Sequence, residues 1–270
     1  MTQPQTNSPS SARTALVTGA SGGIGEALAR ELAARGIHVI LVARTGSRLQ
    51  ALARELEAAH GVRAFPVPLD LALPDAGEWL EREVGELGLT VDFLVNNAGF
   101  ASYGEFITLD PGQTRDMIQV NVATLTDLTR RFLPGMVARG RGRVLNVAST
   151  AAFMPGPLMA VYYATKAYVL SLSEALNEEV RGSGVNVTAL CPGPVETGFQ
   201  ARARLEESRL LQGREIPGPG EVAREGIDAM LRGQAVRVVG RANQLLALTP
   251  RFLPRALVPG LVRRAQDRAR

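Results

Sequence analysis

Lysine is almost absent from this chain. Of 270 residues 30 are basic, and only Lys166 is a lysine; the other 29 are arginine. Histidine occurs twice, as His38 and His60, and cysteine once, as Cys191. A lone cysteine excludes an internal disulfide and fits a reducing compartment. No apolar run reaches the roughly 18 residues a transmembrane helix needs. The opening MTQPQTNSPSSAR lacks the basic-then-apolar layout of a secretion signal. It is polar and rich in Pro and Ser, so residues 1–12 are expected to be a disordered tail. These absences together lead to the expectation of a cytoplasmic protein without a metal site.

Charge is unevenly spread. Residues 241–270 hold seven arginines against one acid, Asp267, a net of +6, so residues 1–240 carry −2 of the chain's +4. The larger part is therefore not a basic nucleic-acid surface, and no nucleic-acid partner is expected.

What is present is an alternation of short apolar runs with longer segments of helical period. Ala15–Thr18, His38–Ala43, Arg63–Leu69, Val91–Asn96, Arg143–Ala148, Asn186–Leu190 and Val236–Val239 read as strands. Gly23–Arg35, Arg48–His60, Ala76–Leu87, Asp110 to about Arg139, and Leu158–Arg181 read as helices, with Gly61 a C-cap and Asp110-Pro111 an N-terminus. Continuous Val/Leu/Ile runs alternating with helices imply a parallel sheet covered on both faces. The expected fold is thus α/β: a single-domain Rossmann-type doubly wound sheet of about seven strands. It should occupy residues 13–240, followed by a basic, partly amphipathic extension over 241–270.

The segment Thr18-Gly19-Ala20-Ser21-Gly22-Gly23-Ile24-Gly25 joins the first strand to the first helix. Glycines there let the backbone turn tightly and approach a pyrophosphate, which meets free N–H groups at the helix start. Gly19-x-Ser21-x-Gly23 also fits a hydrolase nucleophile elbow. That reading needs an acid and then a histidine downstream. No Asp lies between Ser21 and His60, and the two histidines fall in a strand and at a helix end. The phosphate reading is preferred.

An acid about 20 residues past such a loop would bond a ribose 2′-hydroxyl, whereas an arginine suits a 2′-phosphate. The second strand ends Leu41-Val42-Ala43-Arg44, with Arg48 one turn on and no acid at 43. NADP(H) is the expected cofactor.

Asn96-Asn97-Ala98-Gly99 follows the fourth strand, Ser149 the fifth, and Tyr162-Tyr163-Ala164-Thr165-Lys166 sits in the next helix. Together with the first loop, in this order and at these spacings, they resemble the short-chain dehydrogenase/reductase family from about Arg13 to Thr197. The resemblance implies that Ser149, Tyr162 and Lys166 are catalytic and that Asn121 holds a proton-relay water. It also implies cofactor contacts: Gly19, Ser21, Gly23, Ile24 and Gly25 at the pyrophosphate, and Asp70 and Leu71 at the adenine. Asn97, Ala98 and Gly99 would support the cofactor and the sheet. Pro192, Val195 and Thr197, in the Pro192–Thr197 loop, would face the nicotinamide, and Tyr162 and Lys166 would reach the same half. A homodimer or homotetramer built through the two long helices is implied as well.

The chemistry fits these residue types. Reduction of a carbonyl needs a proton as well as a hydride, and free tyrosine, with a pKa of about 10, is a poor acid at neutral pH. A cation at about 4 Å would lower that pKa by roughly three units at an effective dielectric of about 20. Tyr162 and Lys166 are four apart on one helix face. Lys166 stayed lysine where every other basic position is arginine, and a compact ammonium reaches ribose and phenol together more readily than a planar guanidinium. Ser149 would orient the carbonyl oxygen. Cys191 reads as a structural, buried thiol.

The substrate loops are Ala151–Met159, which is apolar, and Phe199–Pro217, a candidate mobile lid. A small carbonyl or alcohol substrate, apolar in part, is expected, although Phe153 and Met154 fit plain packing equally well. The extension is read in two ways: a segment that touches anionic membrane, or, preferred, a helix pair packed on the domain or on a subunit partner. A rival of another class is a non-catalytic NADP(H)-binding sensor or scaffold of the same fold. Loss of Tyr162 or Lys166 would favour it, and both are present.

Overall fold

The computed structural model describes residues 13–198 and 216–267. The expected N-terminal tail, most of the expected lid and the last three residues lie outside the described residues. Seven strands form one sheet in the order β3-β2-β1-β4-β5-β6-β7. They are β1 (Thr14–Thr18), β2 (His38–Ala43), β3 (Ala64–Pro68), β4 (Val91–Asn96), β5 (Gly142–Val147), β6 (Val185–Cys191) and β7 (Val236–Val238). All neighbours run parallel. This is the expected doubly wound fold.

Alternation along the strands builds two cores. Ala15, Val17, Val39, Leu41, Phe93, Val95 and Leu145 face one layer, formed by α1 (Gly23–Ala34), α2 (Gly46–His60) and α7 (Pro219–Leu231). Leu16, Ile40, Val42, Leu94, Val144 and Val187 face the other. That layer comprises α3 (Ala76–Glu86), α5 (Leu125–Ala138) and α6 (Ala160–Glu179). Because side chains point alternately up and down a strand, a strand buried on both faces must be apolar throughout, which is why these strands read as continuous runs.

Helix α7 was not expected from the sequence. Its signals were there: Pro219 in the first turn, and Val222, Ala223, Gly226, Ile227 and Met230 buried at helical spacing. Gly226 lies against Leu190 so closely that a Cβ would come within 2.7 Å of the leucine's methyl. The helix expected from Asp110 to about Arg139 is also interrupted. It runs as α4 (Pro111–Ile118), a π-helical turn over Gln119–Thr124, and α5. Asp110 caps it by accepting from the Gln113 N–H at 2.6 Å.

After β7 the chain forms α8 (Arg241–Leu248), a 3₁₀ turn (Thr249–Arg251) and α9 (Val258–Gln266). These pack on the domain through Val262 and Gln266. Among the described residues no helix is long and apolar enough to cross a membrane.

Candidate active site

The strand order reverses between β1 and β4, and their carboxyl ends open a crevice where ligands of such sheets bind. The two loops are stapled there. The Thr18 hydroxyl accepts from the N–H groups of Asn97 (2.9 Å) and Ala98 (3.0 Å), and the Asn97 amide donates back to the Thr18 carbonyl at 2.9 Å. The cleft above has a volume of about 1160 Å³.

The glycine loop forms one wall. A Cβ on Gly25 would stand 2.2 Å from the Gly19 carbonyl oxygen, so helix and loop touch backbone to backbone. Gly19 has φ +69°, a left-handed conformation that favours glycine. No side chain caps α1, so its first N–H groups are left for an anion. Ser21, Gly23 and Ile24 line the same wall.

Arg44 and Arg48 line the far end, next to Ala43 and opposite Asp70 and Leu71. Asp70 is folded back on its own loop and accepts from the Ala72 N–H at 3.0 Å. Among the described residues, none forms an ion pair with either arginine. Gly99, Pro192 and Val195 line the same cleft, while Asn97 and Ala98 stand against Gly19 and Thr197 against Gly23. This is a fit for a phosphorylated dinucleotide: a backbone cradle, two guanidinium groups and an apolar loop on one cleft.

The proton-handling residues meet in the same cleft. Ser149 follows β5 in extended conformation and accepts from the Ala151 N–H at 3.1 Å, while its hydroxyl donates to Pro192 O at 3.4 Å. It also hydrogen-bonds the Tyr162 side chain. Tyr162 and Tyr163 are packed edge to face, with centroids 6.2 Å apart at 76°. Their hydroxyls have different company. That of Tyr163 takes the Gln266 amide of α9, and Tyr163 is buried. Tyr162 carries the hydroxyl beside Ser149.

Lys166 is only 5% exposed. Its ammonium donates to the Val147 carbonyl at 2.7 Å and stands 5.7 Å from the Tyr162 ring centre. The two side chains are neighbours, as their spacing implies, but the expected lowering of the Tyr162 pKa is not found in the protein by itself. Burial dominates and pushes that pKa well above 10; the Ser149 hydrogen bond opposes it and the neighbouring Tyr163 adds to it. Burial likewise lowers Lys166 to about 8, which leaves it mainly cationic at pH 7. Cys191 is fully buried and its thiol is pushed up to about 12, a structural residue as expected.

Asn121 lies in the π turn, buried behind the cleft and not on its wall. Its amide donates to Phe100 O (3.0 Å) and to the Thr165 hydroxyl (3.1 Å), and its oxygen accepts from the Phe100 N–H (3.1 Å). A Cβ on Gly99 would be 3.0 Å from the Asn121 oxygen and 3.5 Å from the Lys166 nitrogen, so these three residues converge. π turns occur disproportionately at such places.

A polar chain missed from the sequence ties this centre to the sheet. The Asn96 amide donates to Asn146 (2.9 Å) and Thr129 (3.0 Å), and the Asn146 amide donates to Ser173 of α6 at 3.0 Å. All four residues are buried, and the two asparagines lie on strands that read as apolar. A polar residue in such a run was the available signal.

The substrate loop divides. Ala151, Met154 and Met159 line the cleft, whereas Phe153 packs behind it against Ala148 and Val169. Leu158 has φ +67°, the one positive-φ residue other than glycine among those described, and its carbonyl accepts from the Gly104 N–H at 2.9 Å. Leu246, Leu253, Val258, Leu261 and Val262, all past the motif region, complete an apolar wall. Their role there was not foreseen, because nothing in their spacing announces a cavity rather than a core.

Comparison with known proteins agrees with this geometry. The family model "short chain dehydrogenase" matches residues 13–208. The chain is 35% identical to the mouse very-long-chain 3-oxoacyl-CoA reductase over 187 residues, which is 68% of this chain and 59% of that protein. The matched part thus spans under two thirds of that relative's length. It is 31% identical to the ketoacyl reductase HetN of Nostoc sp. over 234 residues, 86% of this chain and 80% of that one. Among solved structures it resembles a short-chain dehydrogenase from Sphingobium yanoikuyae in complex with NADPH. The TM-score is 0.80 and the identity 33%, over 89% of this chain and 93% of that one.

Proposed function

The chain belongs to the short-chain dehydrogenase family, and on that premise we propose that it is an oxidoreductase that moves a hydride between NADP(H) and a carbonyl or alcohol substrate. One juxtaposition carries the reading: the glycine cradle on one wall of the cleft, and the Ser149–Tyr162 pair with Lys166 on the other. Bound NADP(H) supplies the hydride.

The chain's own residues do the rest. Gly19, Ser21, Gly23, Ile24 and Gly25 hold the pyrophosphate, Asp70 and Leu71 flank the adenine, and Arg44 and Arg48 take the 2′-phosphate. Asn97, Ala98, Gly99, Pro192, Val195 and Thr197 flank the nicotinamide half. Tyr162 donates its proton to the substrate oxygen in reduction and takes it back in oxidation. Ser149, already bonded to Tyr162, orients that oxygen. The buried Lys166 ammonium stabilises the phenolate that forms, and a phenolate is worth more to it in this low-dielectric setting than in water. Asn121 is a positioning residue that sets the relay side of Lys166.

The substrate is an apolar ketone or aldehyde, or the corresponding alcohol, since Met154, Met159, Leu253 and Val262 form its wall. The ketoacyl reductases among the relatives fit that class. We further propose that the enzyme works in the cytoplasm as a homodimer or homotetramer.

A panel of apolar carbonyl compounds, followed through NADPH absorbance, tests the reaction. Turnover that disappears in Tyr162→Phe supports it. NADPH binding with no carbonyl-dependent consumption across the panel would instead favour the sensor reading.

A further inference from the structure

The chain past β7 has two faces. The inner one walls the cleft with Leu246, Leu253, Val258 and Val262. The outer one leaves Leu245 70%, Phe252 83% and Leu257 56% exposed. Arg241, Arg251, Arg255, Arg263 and Arg264 are exposed among them. No Asp or Glu occurs from 241 to 266. Arg263 reaches one acid, Glu105, at 3.5 Å between two exposed side chains, a pairing of little strength. That contact brings the loop after β4 alongside, where Phe106 (64% exposed) and Ile107 (87% exposed) extend the apolar surface.

Scattered exposed leucines are ordinary, but a contiguous apolar patch marks a surface that meets something. Here exposed apolar side chains alternate with guanidinium groups along a stretch, 241–266, that holds no carboxylate. We propose that this outer face docks on an anionic phospholipid surface. Leu and Phe side chains enter the boundary between headgroups and acyl chains, and the arginines bond the phosphates in the bidentate manner that suits them. The same short helices form the substrate wall, so docking sets the mouth of the cleft at the lipid boundary. This last point rests on the proposed function; the docking itself does not.

Co-sedimentation of the full chain with vesicles tests it. Vesicles of phosphatidylcholine with about 30% phosphatidylserine should bind at least about tenfold more tightly than phosphatidylcholine alone. Arg251→Glu/Arg255→Glu should lose that difference, and Phe252→Ser/Leu257→Ser should weaken binding to anionic vesicles. None of the four residues lines the cleft, so both variants should keep the wild-type circular dichroism spectrum and NADPH affinity. Equal binding to both vesicles, or binding to neither, overturns the proposal. So does a dimer in sedimentation velocity that both variants dissolve while vesicles are ignored, because the patch then meets a second copy of the chain. Docking is read without turnover, so failure of the reaction and failure of docking are separately visible.

Discussion

The Lys166 ammonium is anchored on the Val147 carbonyl at 2.7 Å, at the carboxyl end of β5, and stands 5.7 Å from the Tyr162 ring centre. It is a buried cation hydrogen-bonded to a neutral carbonyl. Its pKa in the folded protein is about 8 against the ordinary 10.5. Below pH 8 both folded and unfolded chains hold the proton, and the full penalty of burying the charge is present. As pH rises from about 8 to about 10.5 the folded state releases its proton first, so the penalty is relieved and this contribution turns towards stability. Lys166→Met should therefore abolish turnover yet raise unfolding stability at pH 7 by about 2 kcal/mol, the desolvation gain less a lost hydrogen bond. Denaturant titrations at pH 7 and pH 10 check it. A stability difference that does not shrink at the higher pH contradicts the buried-charge account.

Tyr162→Phe should lower kcat by about 10²–10⁴-fold, the range of a lost general acid, with the Kd for NADPH changed less than about threefold. Tyr163→Phe should leave kcat within about threefold, because its hydroxyl is engaged by Gln266 and not by the reacting end of the cleft. Burial holds the Tyr162 hydroxyl protonated at neutral pH. The reduction rate should accordingly be flat from pH 6 to 8, while oxidation should rise with pH throughout. Stopped-flow rates in both directions give the comparison, and equal losses in the two variants would unseat Tyr162.

Replacing both Arg44 and Arg48 by serine should cost NADPH about 10–100-fold in kcat/KM, as expected for charged hydrogen bonds to one phosphate. NADH should be unaffected or slightly improved. A uniform loss for both cofactors would mean that the arginines act on the shared part of the dinucleotide.

At Gly25 the added methyl of alanine has nowhere to go, with the Gly19 carbonyl 2.2 Å from its ideal position. Gly25→Ala should destabilise the fold by about 1–3 kcal/mol and weaken NADPH binding at least as much. Gly22→Ala is the control: nothing lies within 4 Å of its added methyl, and its φ of 168° is extended backbone open to any residue. Thermal unfolding with and without NADPH separates the two.

Most of the fold was legible because its strands are buried on both faces and its loops carry glycines where backbone meets backbone. The meeting of Ser149, Tyr162 and Lys166 at the cleft was legible for the same reason that it is constrained: fixed spacing on a helix and after a strand. Three things were not. Helix α7 begins within Pro217-Gly218-Pro219-Gly220, a run that reads as turn. The Asn96–Asn146–Ser173 chain joins residues distant in sequence, so only the sheet order brings them together. The direction of Lys166 was also hidden: helical spacing fixes which face a side chain leaves from, and a rotamer decides which neighbour it meets.

The apolar wall from Thr249 to Gln266 comes from a part of the chain that supplies neither the glycine cradle nor the proton donor. It joins the rest through Val262, packed on the cluster of Tyr103, Met159 and Tyr163, and through Gln266. Gln266 engages Tyr163, and the Gln266 carbonyl accepts from Tyr103 at 2.6 Å. Selectivity is then portable. Transplanting this stretch between proteins of the same sheet, with the two tyrosines and the glutamine kept, would exchange what is recognised while leaving the reaction centre in place.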